Sequence, residues 1–512
     1  MPEQIIEKIK KSILPVWKVC FISAFMIGLI AHLYKITNWL PNWDCLVFRY
    51  DSQNMLAMGR WFLPVVCAVS SFYDLPFITG LMSIIFHGLG AVCLCKMFGI
   101  QKSITAALIG GLVITFPTVT SVMMYSYAAD AYALAFLFSC IAAMLLTTDR
   151  PRYITSAVLI ALSCGIYQAY ITVTIMLLLL KLILELLHKE TDLKNSLFKS
   201  LKFLMTGVLG MLVYYLALTL LLKITDTTLL EYQGFDNAMS LKGINILASL
   251  YTIKNSFLSY FFDFSTGVSV FSIINSVIFI ITLILYLGDV IKEKSGITNF
   301  LMLCVYAALL PVGASVLAFI NSSVDYHNLM KMGFLVFYLF FILQYEKSDF
   351  KNAKLTLIKL WTIFAFAVIL IFNNTIIANV SYHKLNMAYE KSYSVLIRIA
   401  DRIEQTVGAN DCDSILVLGH LPQSEAYSVN LPPDMTGTTD SFILRADDEM
   451  VGQSVLCSAL NDYCGKNYKF LSGKEKMALI KKFDAGSLNN WPEKNSISVI
   501  DNVIVIKLGD ER

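Results

Sequence analysis

The sequence predicts a mainly helical protein, a polytopic transmembrane bundle followed by a small extracytoplasmic α/β domain. Hydrophobic residues make up 57% of the 512 residues and charged residues only 15%, whereas soluble domains have roughly 45–50% and about 25%. Apolar stretches of about 18 or more residues, long enough to cross a bilayer, recur through most of the chain. Beyond about residue 379 the sequence becomes more polar and contains strand-like segments.

The hydrophobic runs predict about eleven membrane-spanning helices. The first follows a lysine-rich N-terminus without a small-residue cleavage site, which indicates an uncleaved signal anchor. The expected spans lie near residues 16–36, 76–98, 103–124, 127–148, 153–166, 168–188, 200–223, 268–288, 298–319, 329–346 and 355–378. The lipid bilayer is therefore the expected surrounding of residues 1–378.

The run 153–188 is either one long helix or a hairpin broken at Gly165. The hairpin collects most loop Lys and Arg residues on one side of the membrane, and such loops are typically cytoplasmic. We therefore expect a cytoplasmic N-terminus and two outer loops, 37–75 and 224–266. Within them, 62–69 is expected to form a short interfacial or re-entrant helix. The stretch 247–262 is either an interfacial helix or a short extra span.

Residues 379–512 are expected to form an α/β domain on the outer side. It should contain a helix over 385–407 and strands over Ser414–Gly419 and Ser496–Leu508. Cys457 and Cys464 lie close together in this polar region, and they are either a disulfide or two free thiols. No basic run interleaved with aromatic residues indicates nucleic-acid binding, so no such partner is expected.

Polar residues are concentrated at the outer ends of the predicted helices. A carboxylate can act as a general base, Arg can hold a phosphate, and aromatic rings can stack on sugars. The same residues also have non-functional explanations. The loop can be an ordinary solvated loop, Asp130 can be an acid at the start of a helix, and Tyr and Trp can belong to an interfacial aromatic belt. The candidates are Asp44, Asp51, Arg60, Trp61, Tyr73, Asp74, Tyr127, Asp130, Tyr167 and Gln168, with Asp325, His327 and Lys331 as a further cluster.

Several motifs together carry a resemblance to a known family. Their order is WD, YDSQNMLAMGRWFLP, SSFYDLP, ITFPTV, YAADAYAL and GIYQAY, with EYQGF at 231–235 as a weaker echo. This order closely resembles bacterial membrane glucosyltransferases of the GtrII type, which belong to the GT-C class of polytopic glycosyltransferases. The resemblance is strongest over about residues 40–175, and the C-terminal domain contributes almost nothing to it.

The resemblance implies transfer of a sugar, typically glucose, from a polyprenyl-phosphate carrier to a cell-surface glycan. The reaction would take place on the outer face of the bacterial plasma membrane, with inversion at the anomeric carbon. It implies an essential acid in the first outer loop, which here is Asp44 or Asp51, with Asp44 slightly favoured as the base. Asp51 would then bind substrate hydroxyls, or a divalent metal in those relatives that use one.

The resemblance also implies roles for residues outside that pair. Arg60 would hold the carrier phosphate, and Tyr167 and Gln168 would shape the sugar pocket. Trp61, Tyr73, Asp74, Tyr127, Asp130 and Tyr232 are the further residues expected to bind substrate. No P-loop, HExxH or GxSxG motif is present in the sequence to indicate another chemistry.

Two other classes of function remain open at this point. A transporter or flippase of a lipid-linked glycan would carry polar residues near the middle of its helices, whereas the ionisable residues here lie mostly at the outer ends. A non-catalytic membrane partner of a glycan-assembly complex is the third hypothesis. Loss of activity on replacing Asp44 and Asp51, with folding intact, would exclude this third hypothesis.

Overall fold

The described part of the chain is mainly helical, with a small sheet near the C-terminus. The computed structural model describes residues 2–4, 7, 13–47, 55–230, 245–263, 270–292, 296–322, 324, 326–348, 354–419, 421, 435–437, 452–471, 473–483 and 485–509. The α-helices, in chain order, are α1 Pro15–Thr37, α2 Trp43–Val47, α3 Leu63–Cys67, α4 Pro76–Met97, α5 Ser103–Thr115, α6 Pro117–Met124, α7 Ala129–Leu146, α8 Tyr153–Ile166, α9 Ile171–Leu187, α10 Leu193–Thr225, α11 Ile246–Phe262, α12 Val270–Lys292, α13 Ile297–Ala314, α14 Leu335–Lys347, α15 Lys354–Glu404, α16 Gly452–Cys464 and α17 Gly473–Ile480.

These helices confirm the predicted polytopic bundle. Among the described residues, eight helical segments are long and apolar enough to cross a membrane, and the pair α5 and α6 makes a ninth if it counts as one span. The other two predicted spans are shorter, because α8 has 14 residues and α14 has 13. Helix α11 has 17 residues and is not among the segments that pass this test.

The predicted span 103–124 is bent in the structure. Helices α5 and α6 meet at an angle of 42°. Phe116, between them, has an extended backbone with ψ of 137°, because the ring of Pro117 disfavours the helical conformation in the residue before it. The bend is a consequence of one proline.

Two compact units can be distinguished in the chain. The first comprises Met1–Thr37, Ser52–Met123 and Ala128–Ala378. The second comprises Asn38–Asp51, Met124–Tyr127 and Asn379–Arg512. Helix α15 contributes residues to both units.

In the first unit, small residues allow close packing of the helices. Helix α1 packs against α4 and α5, and α8 packs against α7 and α10. A Cβ atom at Gly110 of α5 would lie 2.4 Å from the Cys20 carbonyl oxygen of α1. Such close backbone approach is typical of helix pairs in membranes.

The helical backbone is interrupted between α8 and α9. In α8, Ser163 and Ser156 donate hydrogen bonds to the carbonyl oxygens of Ala135 and Ala142 in α7, at 2.8 and 3.1 Å, so these two helices are antiparallel. Tyr167, at the break, has an extended backbone with φ of −156° and ψ of 118°. A short 3₁₀ segment, Gln168–Tyr170, then leads into α9. The predicted break at Gly165 therefore lies within two residues of the observed one.

Helix α15 differs from the prediction. The sequence predicts a span over 355–378 and a separate helix over 385–407, but the structure has one helix of 51 residues. The segment 354–404 contains neither glycine nor proline. The sequence of α15 becomes more polar beyond about residue 379, but the helix continues through this change because no residue there breaks it.

The second unit contains a four-stranded sheet with the order β2-β1-β4-β3. Its strands are β1 Ser414–Leu418, β2 Lys469–Phe470, β3 Ile497–Ile500 and β4 Val503–Lys507. β1 pairs in parallel with β2 and β4, and β3 pairs antiparallel with β4. Residues of α15, α16, β1 and β4 form its core, among them Leu396, Ile399, Val417, Leu456, Leu460, Ile504 and Ile506.

Two expectations for this unit are refined. The stretch Ser496–Leu508 forms a hairpin, because Asp501 and Asn502 both adopt positive φ angles of 49° and 59° and make the two-residue turn that such angles favour. Cys457 and Cys464 are free thiols. They lie seven residues apart on α16, which separates their backbones by about 10 Å and is too far for a disulfide.

Candidate functional site

The structure brings together four of the predicted site residues in the first unit. Arg60 and Trp61 lie in the first outer loop, just before α3, and Tyr167 and Gln168 occupy the break between α8 and α9. The N–H of Phe62 donates a hydrogen bond of 2.8 Å to the Gly165 carbonyl oxygen, which ties the two segments together. Two stretches separated by about a hundred residues in the chain thus form one site.

The guanidinium group of Arg60 is held by two tyrosines. Its Cζ lies 4.8 Å from the centre of the Tyr167 ring, and Nη1 donates a hydrogen bond of 3.4 Å to the Tyr132 hydroxyl. The Tyr132 and Tyr167 rings are 5.2 Å apart, and both residues are buried. Cation–π contacts of this kind contribute about 0.5–2 kcal/mol. The predicted sugar contact Tyr167 therefore also orients Arg60.

Gln168 fixes the backbone that carries Arg60. Its Nε2 donates hydrogen bonds to the Met58 carbonyl oxygen at 3.0 Å and to the Tyr214 hydroxyl at 3.1 Å. The Tyr214 hydroxyl donates in turn to the Gly59 carbonyl oxygen at 2.8 Å. Both N–H groups of the Gln168 amide are thereby used. Sequence reasoning did not single out Tyr132, which lies within the YAADAYAL motif, or Tyr214, which adjoins Tyr215 in an apolar run.

We expect Tyr214→Phe to lower kcat/KM about tenfold for the sugar transfer that the resemblance implies, because the loss of one buried hydroxyl leaves Gln168 and Gly59 without their common partner. Steady-state rates of the purified variant would measure the effect. Tyr215→Phe is the matched control, since the neighbouring Tyr215 in α10 is exposed and its replacement should change nothing. Equal rates for both variants would contradict the positioning role of Tyr214.

Gly165 makes room for the site. A Cβ atom there would lie 2.7 Å from Cε2 of Trp61 and 3.0 Å from Cβ of Phe62. Only glycine therefore allows Trp61 to lie against the end of α8. Because Trp61 adjoins Arg60 in the chain, this close approach helps determine where Arg60 lies.

We expect Gly165→Ala to destabilise the protein by about 1–3 kcal/mol through overpacking and to slow transfer by displacing Trp61. The control is Gly207→Ala in α10, where an added Cβ would meet nothing within 4 Å. In that variant the better helix propensity of alanine should leave stability unchanged or raise it. Thermal unfolding in detergent compares the two variants, and a Gly165→Ala midpoint at or above that of Gly207→Ala would contradict the packing argument.

A partly open cavity lies beside Arg60, with about 600 Å³ of empty space that includes space open to the surroundings. Its polar lining consists of Arg60, Tyr167, Gln168, Asn321 and His327, and its other described lining residues are apolar. Asn321 and His327 come from the irregular stretch after α13. Irregular backbone within a membrane domain typically lines a cavity. The lining includes no carboxylate among the described residues.

The remaining predicted residues of the first unit lie elsewhere. Asp130 is in the first turn of α7, where its Oδ1 accepts a hydrogen bond of 2.9 Å from the Ala131 N–H. Burial and the nearby Asp130 raise the pKa of the Cys67 thiol to about 12, which keeps this thiol neutral. Tyr73 is exposed and Asp74 half-buried. Their roles in substrate binding stay predictions.

Asp44 and Tyr127 belong to the second unit. Asp44 is half-buried in the short helix α2, whose start is capped where the Asn42 side chain accepts a hydrogen bond of 3.0 Å from the Cys45 N–H. Tyr127 is buried, and its ring lies 6.4 Å from that of Tyr125. Asp51, Tyr232 and Asp325 lie outside the described residues.

The described residues contain no group of three or more His, Cys, Asp or Glu side chains that could hold a metal ion. Asp51, the residue for which a divalent metal was considered, is not among them.

Comparison with known families decides the classification. The sequence model of a family described as glucosyl transferase GtrII matches residues 33–344, more than half of the chain. The chain belongs to the GtrII glucosyltransferase family. No curated protein and no solved structure matches it in the corresponding comparisons.

Membership of the GtrII family confirms the resemblance drawn from the motifs. The match includes the cavity, since Arg60, Gln168 and His327 all lie within residues 33–344. Together with the apolar helices, it describes a membrane-bound glycosyltransferase that uses a sugar donor and an acceptor. Most of the second unit lies beyond the matched residues.

Proposed function

We propose that this GtrII protein transfers glucose from a polyprenyl-phosphate carrier to a cell-surface glycan. The observation that carries the proposal is the cavity beside Arg60, whose described polar lining is basic or neutral. An anionic phosphoryl group suits such a lining, because Arg binds its oxygens through two parallel hydrogen bonds. The amides of Gln168 and Asn321 suit sugar hydroxyls. The apolar helices favour a donor whose hydrocarbon tail stays in the bilayer.

The proposed reaction is a single displacement at the anomeric carbon. The acceptor hydroxyl gives its proton to the carboxylate of Asp44 or Asp51, and its oxygen forms a bond to the anomeric carbon. The bond from that carbon to the phosphate oxygen breaks, and its electron pair remains on the phosphate. Arg60 stabilises the negative charge that develops there. Attack from the side opposite the leaving group inverts the configuration.

The donor requirement can be tested with purified protein in detergent. Glucose labelled with ¹⁴C is supplied either on polyprenyl phosphate or as a nucleotide sugar, with the cell-surface glycan as acceptor. We expect label to reach the acceptor only from the lipid-linked donor. Transfer from the nucleotide sugar would contradict the carrier assignment. Binding of the lipid-linked donor without any bond cleavage would instead favour a lipid-linked glycan transporter.

We further propose that the chain lies in the bacterial plasma membrane with the N-terminus in the cytoplasm and residues 379–512 outside. The support is the bias of Lys and Arg toward the segments on one side of the topology predicted from the sequence, including 188–202 and 346–354. Alkaline phosphatase, which is active only outside the cytoplasm, can be fused after residue 152 or after residue 512. We expect activity only from the second fusion, and the reverse pattern would contradict this orientation.

A further inference from the structure

We infer that His327 binds the phosphate group of the donor together with Arg60. The inference rests on the proposed function for the identity of the carrier, but the binding site itself can be tested without turnover. Three features support a role for His327: it lines the same cavity as Arg60, its backbone is fixed, and the described polar lining is basic or neutral.

His327 and Arg60 line the same cavity from distant parts of the chain. Arg60 precedes α3, whereas His327 follows α13 in a stretch without regular helix. His327 is half-buried, so part of the residue remains accessible. The cavity therefore combines a permanent cation with an imidazole that can donate a hydrogen bond in every protonation state.

The backbone on both sides of His327 is anchored. The Tyr326 hydroxyl donates a hydrogen bond of 2.6 Å to the Ser315 carbonyl oxygen and accepts one of 2.8 Å from the Ala318 N–H. The Asn328 carbonyl oxygen accepts a hydrogen bond of 2.8 Å from the Thr118 hydroxyl of α6. His327 thus lies between two residues that are each tied to another part of the first unit.

The turn that follows adds a further restraint. The N–H of Met330 donates a hydrogen bond of 3.0 Å to the His327 carbonyl oxygen, and Asn328–Met330 form a 3₁₀ segment. These hydrogen bonds fix the backbone of His327, so less freedom is lost when its side chain binds a ligand, which is the advantage of a preorganised site. The arrangement suits a ligand-binding side chain better than a loop residue free to move.

The lining favours an anion at this position. Asn321 and Gln168 are neutral, Arg60 is positive, and no carboxylate is present among the described lining residues. A phosphate offers several oxygens, so Arg60 and His327 can each bind a different one. Charge-assisted hydrogen bonds to such oxygens are roughly twice as strong as those between neutral groups.

The test measures binding of polyprenyl phosphate, the product left after transfer, to full-length protein in detergent. Wild type is compared with His327→Ala, His327→Gln and the control His383→Ala, since His383 is exposed and belongs to the second unit. We expect His327→Ala to raise Kd about ten- to hundredfold, as for loss of a hydrogen bond to a charged group. His327→Gln should retain much of the affinity, because its amide still donates, and His383→Ala should bind like wild type.

Inorganic phosphate and glucose 1-phosphate serve as soluble probes in the same assay. We expect both to bind more weakly than polyprenyl phosphate and to lose affinity in His327→Ala. Soluble phosphates that bind as tightly as the lipid would overturn the assignment of a lipid carrier. A folded His327→Ala protein that binds polyprenyl phosphate as wild type does would overturn the role of His327.

The two proposals fail in different ways. If no donor supports transfer but polyprenyl phosphate still binds in a manner that depends on His327, the proposed reaction is wrong and the phosphate site stands. If transfer proceeds normally in His327→Ala with unchanged affinity for polyprenyl phosphate, the reaction stands and this inference is wrong.

Discussion

Arg60→Ala is expected to lower the rate of glucose transfer by about 10²–10³-fold, the usual effect of removing one group that stabilises developing negative charge. The leaving phosphate gains charge as its bond to the sugar breaks, and in the described lining Arg60 is the permanent cation. Arg60→Lys should restore only part of the activity. An ammonium group lacks the planar fork that binds two oxygens and stacks on Tyr167.

Arg150→Ala is the control for this experiment, because Arg150 is exposed in the loop between α7 and α8. Transfer rates are measured at saturating acceptor, with size-exclusion profiles confirming that each variant remains monodisperse. A wild-type transfer rate in Arg60→Ala would contradict the proposal that Arg60 stabilises the leaving phosphate. If Arg60→Ala is not monodisperse, the role of Arg60 is judged from the transfer rate of Arg60→Lys, which keeps the charge and most of the side-chain volume.

Replacement of the catalytic base is the second large effect. Either Asp44→Asn or Asp51→Asn should lower kcat by about 10²–10⁴-fold, the contribution typical of a general base. The amide keeps the shape of the carboxylate but cannot accept the proton of the acceptor hydroxyl. The other variant should alter mainly KM, as expected for a residue that binds substrate.

Asp226→Asn provides the matched control, since Asp226 is exposed at the end of α10 with a φ of 50°, a conformation that asparagine also adopts readily. Binding of polyprenyl phosphate should be retained in the variant that loses the base. Full activity in both Asp44→Asn and Asp51→Asn would exclude this loop as the source of the base.

The bundle was predictable because apolar runs report membrane surroundings directly. Hydropathy alone does not report where the helical backbone ends, and this explains the differences in detail. In the predicted span 329–346, the α-helix begins only at Leu335. Two 3₁₀ segments, Asn328–Met330 and Met332–Phe334, precede it. In contrast, two features that were not predicted have a visible cause in the sequence. Pro117 explains the bend at Phe116, and the lack of glycine and proline explains why α15 is continuous.

The site was predictable where neighbouring residues form a motif. Arg60, Tyr167 and Gln168 belong to polar stretches between apolar runs, so the sequence singles them out. Tyr132 and Tyr214 were not singled out, because both lie in apolar helices and only tertiary packing brings them to Arg60 and Gln168. The same applies to the meeting of His327 with Arg60 around one cavity.

Photo-crosslinking tests the central claim, that the cavity beside Arg60 holds the donor phosphate, most directly. A polyprenyl-phosphate glucose analogue with a diazirine beside the phosphate is irradiated with the full-length protein, and the labelled peptides are identified by mass spectrometry. We predict labels on Met58–Arg60, Tyr167–Ala169 and Asn321–Met330, reduced by excess polyprenyl phosphate. Labels that polyprenyl phosphate reduces but that lie only in other segments, such as α11 and α12, would contradict a donor phosphate site in the cavity beside Arg60.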